Sequence, residues 1–341
     1  MRGLTGHWGN MFWALWWLVA SATAAVGGNA ATAPASPVWP APPAEPRIRY
    51  VQSISCPADF GMRSPFWSRF AGLLTGNRPD RLELGKPFGV AVAEDGNLFV
   101  TDTGAGVVWC FTTAERRFRR WDTLGTTRLL CPVSAIGKGD QLFVADSALG
   151  KVLVSDLKGK MRFEITDVER PSGLTLCGGL LFVADAGAHC VVAFDLQGKL
   201  VRRFGKRGTE PGEFNSPTHI AADAGNRLLV TDSLNERIQL FDLEGRYLGT
   251  LGGPGDGSGR FSRPKGVAAD GFGHIYVTDA LHDNVQVFDG TGRFLMHWGE
   301  SGSGPGEFWM PAGIAIGRQN EVFVADSYNR RIQVFQYVGK E

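Results

Sequence analysis

The chain has 341 residues, with 35 lysines and arginines against 34 aspartates and glutamates, and a formal net charge of +1. This balance argues against a nucleic-acid-binding protein, which would carry an excess of positive charge. Apolar residues make up 43% of the chain and 46 residues are glycine, which favours an all-β fold with many tight turns.

Residues 1–25 have the pattern of an export signal. Arg2 is the only formal charge in this stretch, residues 11–20 are apolar, and small residues at 20–24 offer two small-x-small cleavage sites. We favour a cleaved signal peptide. The alternative is an uncleaved anchor, because the uncharged run approaches the length that spans a bilayer. Either form predicts a periplasmic or extracellular protein, tethered to the membrane only if the segment is retained.

Two further elements precede the main domain. Residues 26–46 are rich in Ala and Pro and predict a semi-extended linker. Residues 64–76 are the one helix candidate, with Ser64 as N-cap, Pro65 in the first turn and Gly76 as the stop. We interpret this helix as a cover over one mouth of the ring that the repeats predict. A docking element for a partner or a membrane surface is the alternative.

Six copies of one pattern fill the rest of the chain, beginning near residues 86, 131, 170, 216, 263 and 310. A proline opens each copy, and these are Pro87, Pro132, Pro171, Pro217, Pro264 and Pro311. An aspartate closes the second β-type run of each copy, and these are Asp102, Asp146, Asp185, Asp232, Asp279 and Asp326. Both markers recur every 39 to 47 residues. Four short strand signals per unit of this length predict a six-bladed β-propeller of four-stranded blades, over residues 47–341.

The later copies resemble the NHL repeat family. A Gly-rich lead-in ending in Phe spans 208–214, 255–261 and 302–308, and the copies continue with runs such as Tyr-Val-Thr-Asp and Arg-Ile-Gln-Val-Phe. The resemblance covers about residues 86–338, although copies one to three lack the Gly-Glu-Phe lead-in and copy two has Ser134 where Gly is usual. It implies a propeller that serves as a binding scaffold. RNA binding, known for some NHL proteins, is disfavoured by export and by the neutral charge.

The last copy predicts how the ring closes. It ends after its third strand, while residues 48–54 form a strand signal that belongs to no copy. We expect this N-terminal strand to complete the sixth blade, with Val334 and Tyr337 running beside Ile48 and Tyr50. Closure removes the exposed strand edges of an open propeller.

The first strand of each copy should line the channel, and two residues there depart from the pattern. They are His219 and Lys265, which we treat as candidate ligand-binding residues. Propeller lyases similar to this family hold a metal with several histidines, but only His219 lies at a channel position here. One histidine does not make a metal site, so we expect no metal and no cofactor.

The turns between the second and third strands offer a second candidate surface. They carry Arg237, Arg330 and Arg331, which should project from one face as a solvated polar surface or as a contact surface for a ligand or protein. The six closing aspartates are better explained as local caps that accept backbone N–H bonds. Arg116 to Trp121 falls on an outer strand, where charge prevents edge pairing, and binding to an anionic surface is the alternative.

The five cysteines match no metal motif and predict no particular disulfide. No catalytic motif is present, so we expect a non-enzymatic monomer that binds protein and no nucleic acid. Two alternatives stay open: a hydrolase or lyase at the channel mouth, and a protein that binds polysaccharide or an anionic surface.

Overall fold

A computed structural model of the protein describes residues 36–62, 82–112 and 115–339. The predicted signal segment and the predicted helix at 64–76 lie outside these residues. Within the described ranges, no helix has the length and apolar character needed to cross a bilayer. The regular structure there consists of β-strands and two short 3-10 turns, Pro57–Phe60 and Ser233–Asn235.

In chain order the strands are β1 (Val38–Trp39), β2 (Ile48–Ile54), β3 (Pro87–Val92), β4 (Leu98–Asp102), β5 (Val107–Thr112), β6 (Arg117–Trp121), β7 (Thr123–Leu124), β8 (Thr127–Arg128), β9 (Pro132–Lys138), β10 (Gln141–Asp146), β11 (Lys151–Asp156), β12 (Met161–Ile165), β13 (Pro171–Cys177), β14 (Leu180–Asp185), β15 (Cys190–Asp195), β16 (Leu200–Phe204), β17 (Pro217–Ala222), β18 (Leu228–Asp232), β19 (Arg237–Phe241), β20 (Tyr247–Gly252), β21 (Pro264–Ala269), β22 (Ile275–Asp279), β23 (Asn284–Phe288), β24 (Phe294–Trp298), β25 (Pro311–Ile316), β26 (Glu321–Asp326) and β27 (Arg331–Tyr337).

These strands form the six antiparallel blades that the repeat predicts. Blades one to five are β3–β6, β9–β12, β13–β16, β17–β20 and β21–β24, each running in chain order from the channel outward. β7 and β8 make a small hairpin between blades one and two. The first strand of each blade contacts that of the next, and β25 contacts β3, so the ring is closed.

The N-terminal strand closes the sixth blade, which confirms the prediction. β2 pairs with β27 and places Ile48 opposite Tyr337 and Tyr50 opposite Phe335. β1 then adds a fifth strand to the same sheet. Trp39 packs edge-on against Phe335 with ring centroids 5.9 Å apart. The sheet therefore begins within residues 26–46, the stretch whose composition predicts a linker.

The hydrophobic core is divided among the blade interfaces. Each of six clusters of buried side chains lies between two neighbouring blades. Because every blade is covered on both faces, middle strands such as β4, β18 and β22 are buried throughout. The outer strands carry the polar residues, and the basic run predicted on an outer strand lies on β6, where most of its residues are exposed.

The six closing aspartates are caps, as predicted. All are fully buried. Asp102, for example, accepts hydrogen bonds from the backbone N–H groups of Gly85, Lys86, Gly104 and Ala105 at 2.6 to 3.1 Å. Each carboxylate therefore joins the start of the first strand to the turn after the second.

The Gly-rich lead-ins of blades four to six are held by a glutamine of the third strand. In blade six the Gln333 amide donates to the Glu307 carbonyl at 2.6 Å and accepts from the Gly306 N–H at 2.9 Å. Gln239 and Gln286 make the matching bonds in blades four and five. This recurring contact explains why Gln lies within an otherwise apolar strand.

Candidate ligand-binding site at the channel mouth

One face of the ring carries both candidate surfaces. In every blade the opening proline pairs with the aspartate that ends the second strand, as Pro217 does with Asp232. The segment before each first strand and the turn after each second strand therefore reach the same end of the channel. We call this end the turn face.

Neighbouring first strands approach so closely that glycine is usual beside the channel. A Cβ added at Gly266 would lie 2.5 Å from the Ala312 carbonyl oxygen, so a side chain there would clash with the next strand. Blade four carries His219 at the matching position. Its imidazole stacks on Phe88, with ring centroids 5.6 Å apart. Since blades one and four are opposite each other in a ring of six, this pair spans the channel.

The imidazole of His219 is held in its neutral form. The residue is half-buried, but both ring nitrogens are shielded from solvent and bond to no protein group. Burial and the positive charge of Lys265 lower the pKa of His219 to about 3, from an ordinary value of 6.5. No carboxylate of a described residue bonds to the ring. Nowhere in the described part of the chain do three His, Cys, Asp or Glu side chains gather as metal ligands would.

Blade four also leaves hydroxyl groups without protein partners. Among the described residues, eight buried side-chain nitrogen and oxygen atoms form no hydrogen bond. Five of them lie on blade four, on Thr218, His219, Thr231 and Ser233. Other blades satisfy the matching groups: Thr278 bonds to the Ala312 carbonyl at 2.5 Å, and Ser327 to the Pro87 carbonyl at 2.6 Å. Unsatisfied hydrogen-bonding capacity is therefore concentrated where His219 enters the channel.

Lys265 lies next to this group. It occupies in β21 the position that Thr218 occupies in the adjacent strand β17. Its side chain is half-buried and forms no ion pair with a described residue. Burial and the nearby Arg263 lower the pKa of Lys265. The two channel residues predicted from the sequence are thus brought together, although their role in ligand binding stays a prediction.

Two of the three predicted arginines of the turn face have structural contacts. Arg331 bonds to the buried Asp326 at 2.7 Å and to the lead-in carbonyls of Gly304 and Glu307. Arg237 makes the matching contacts with Asp232, Glu210 and Glu213. Their guanidinium groups hold the lead-ins in place, which gives a reason for both residues that needs no ligand. Their role as ligand-binding residues stays a prediction.

Arg330 lies in a more exposed setting. Its backbone has a left-handed φ of 56°, which turns the chain sharply between β26 and β27. The side chain is exposed on the turn face. Of the three predicted arginines, it is the one available to a partner.

Large exposed apolar residues also lie on the turn face. Four of them lie on three consecutive blades, and we call these four the apolar arc: Leu234, Leu281, Trp309 and Tyr328. Leu130, just before the first strand of blade two, is a further one. Trp309 is 54% exposed, and its ring lies at an angle of 37° to that of Tyr328, with centroids 5.4 Å apart. Lys86 lies over the Tyr328 ring, with its Nζ 4.5 Å from the centroid.

The sequence predicts the position of these turns, but the apolar arc was not among the predicted sites. The available signal was the second residue after each closing aspartate. It is Leu or Tyr in blades four to six, but Gly104, Ala148 and Gly187 in blades one to three. Comparison of the copies at this position would have identified three of the four residues.

Known structures support the fold. The chain is similar to a streptogramin B lyase, with 14% identity over 74% of this chain and 94% of that one, and a TM-score of 0.55. It is also similar to an auxiliary nutrient binding protein from Bacteroides thetaiotaomicron, with 13% identity over 74% and 69% of the two chains, and a TM-score of 0.59. Identity this low shows a shared fold only. No curated protein matches the sequence.

A family model provides the classification. The model described as 6-bladed beta-propeller matches residues 164–257 and 262–340, which together make up just over half of the chain. The protein therefore belongs to this family of six-bladed β-propellers.

Proposed function

We propose that this propeller is an exported, NHL-like, non-enzymatic scaffold that binds a protein partner on its turn face. The observation that carries the proposal is the apolar arc. Trp and Tyr dominate the energetics of protein interfaces, and clustered exposed apolar residues are typical of docking surfaces. The exposed Arg330 and the half-buried Lys86 would flank the contact with the polar groups that an interface rim needs.

Two further observations support parts of the proposal. The export pattern at residues 1–25 favours a partner in the cell envelope or outside the cell. The glutamine-held lead-ins of blades four to six are the segments that resemble NHL repeats. These lead-ins fix Trp309 next to the capped turn that carries Tyr328, so the surface is rigid before a partner binds.

Co-purification from an envelope fraction of the native host tests the proposal. The wild-type protein should capture a partner that remains bound at high salt, because apolar contacts are not screened. Trp309→Ala and Tyr328→Ala should each lose this partner. Leu248→Ala is the matched control, since Leu248 lies on an outer strand and is 51% exposed, close to the exposure of Trp309.

Two results would count against the scaffold. Capture that is equally strong in the arc variants would place the contact elsewhere. Capture that disappears at modest salt in the wild type would favour the alternative of binding to an anionic surface.

A further inference from the structure

The rim of the channel on the turn face is positively charged. The residues directly before and after the six opening prolines form this rim. Among these twelve positions four are basic and none is acidic, and the basic ones are Lys86, Arg170, Arg263 and Lys265. Clustered charge of one sign raises the local concentration of the opposite ion.

None of these four bases is paired with a carboxylate of the described residues. Turns on the opposite face of the ring behave differently: Arg227 pairs with Asp223 at 2.6 Å, and Arg293 with Asp289 at 3.0 Å. The capping aspartates near the rim already have other partners: Asp279 accepts from the backbone N–H groups of Ser262 and Arg263, and Asp232 and Asp326 bond to Arg237 and Arg331. Other described bases, such as the exposed Arg330, also form no ion pair, so what distinguishes this part of the rim is that Arg263 and Lys265 are half-buried.

The rim between blades four and five combines two of these charges with an unpartnered hydroxyl. The Thr218 Oγ1 atom is buried and bonds to no described residue. Lys265 lies beside it in the adjacent strand, and Arg263 lies two residues earlier, near enough to affect the ionisation of Lys265. The Phe88–His219 ring pair lies across the channel beside these residues. Two cations and a hydroxyl donor are suited to a carboxylate.

We propose that Thr218, Arg263 and Lys265 form a carboxylate-binding subsite, and that the protein partner supplies the carboxylate from an acidic residue. The inference rests on the proposed function, since the subsite lies on the turn face between the blades that carry Leu234 and Leu281. A half-buried lysine without a counter-ion is unfavourable by itself, and a bound carboxylate removes that penalty.

Calorimetric titration with citrate tests the subsite without the partner. Citrate should bind the wild-type protein at millimolar concentrations, and Lys265→Met and Arg263→Gln should each weaken binding on the order of tenfold. Arg293→Gln is the matched control, because it removes the same charge from an outer turn and should leave citrate affinity unchanged. Lys265→Met should melt no lower than the wild type, since it removes an unpaired half-buried charge.

The subsite is overturned if millimolar citrate does not bind, or if binding is unaffected by Lys265→Met. Equal affinity for sulfate at the same ionic strength would overturn the assignment to carboxylates.

Capture of the partner by Lys265→Met tests where the carboxylate comes from. If the partner supplies it, this variant should weaken capture, and the loss should be smaller at high salt, where the ionic contact is screened. Citrate binding that depends on Lys265, together with undiminished capture, would overturn the partner as the source and leave a free carboxylate as the ligand. Failure of the wild type to capture any partner would reject the scaffold proposal, while the citrate titration would still report on the subsite.

Discussion

His219 should make the propeller sensitive to acid. Its pKa is lowered to about 3 in the folded protein, against an ordinary value of 6.5. In the unfolded chain the imidazole takes up a proton as the pH falls below the ordinary value, while in the folded protein it stays neutral. The unfolded state is thus favoured progressively between these two pH values, and the effect is absent at neutral pH.

The pKa difference sets the size of the effect. Each pH unit between the two pKa values corresponds to about 1.4 kcal/mol, so the loss of stability from His219 is about 2 kcal/mol at about pH 5. His219→Gln removes the titrating group and should abolish this part of the acid sensitivity. His219→Phe keeps an aromatic ring against Phe88 and should abolish the same part of the acid sensitivity as His219→Gln does. Comparison of the two variants separates the effect of His219 titration from the effect of losing the ring contact.

Urea unfolding at neutral and mildly acidic pH measures the effect. The quantity to compare is the change in unfolding free energy between the two conditions, in the wild type and in each variant, because all other titrating groups are shared. His297→Gln is the control, since His297 is exposed on an outer strand. Equal losses of stability in the wild type and both His219 variants would refute the view that His219 is buried in its neutral form.

Two further predictions concern the framework. Deletion of residues 47–54 should lower the melting temperature on the order of 10 °C, because it removes two fully buried isoleucines and reopens the sixth blade; an unchanged melt would contradict closure by β2. Arg331→Ala should lower the free energy of unfolding by about 3 kcal/mol, because it leaves the buried Asp326 without its ion pair. The control is Arg330→Ala, at the exposed neighbouring residue, which should change the free energy of unfolding by less than about 0.5 kcal/mol. Equal effects of the two substitutions in chemical denaturation would refute the structural role of Arg331.

The fold was predictable because its information is local and repeated. A proline that opens the first strand and an aspartate that caps the second are needed wherever a blade is built, so six copies report the same geometry. The closing strand was predictable for a similar reason, since an incomplete sixth copy requires a fourth strand from elsewhere. Both predictions depend on the strands and turn residues that a single blade requires, and neither depends on packing between distant parts of the chain.

Contacts across the ring could not be predicted in this way. The Phe88–His219 stack depends on the channel radius, which follows from how six blades pack and not from either residue's neighbours. Trp39 lies in a proline-rich stretch, and its contact with Phe335 forms only because the two chain ends meet. The sequence around Arg331 predicts a surface residue. The carbonyl groups that cover its side chain belong to the lead-in, which is a separate segment of the chain, so its structural role could not be predicted from its neighbours.

The departures from the repeat are informative because they reduce stability. Blades with glycine beside the channel satisfy their threonine and serine hydroxyls, as Thr278 and Ser327 show. Blade four leaves the matching groups without protein partners, and each buried unsatisfied group costs about 1 to 3 kcal/mol. A ring of six similar blades does not need this arrangement to close. The same sector adjoins the unpaired Lys265 and the apolar arc, so the recognition that we propose on the turn face would give these unfavourable residues a common reason.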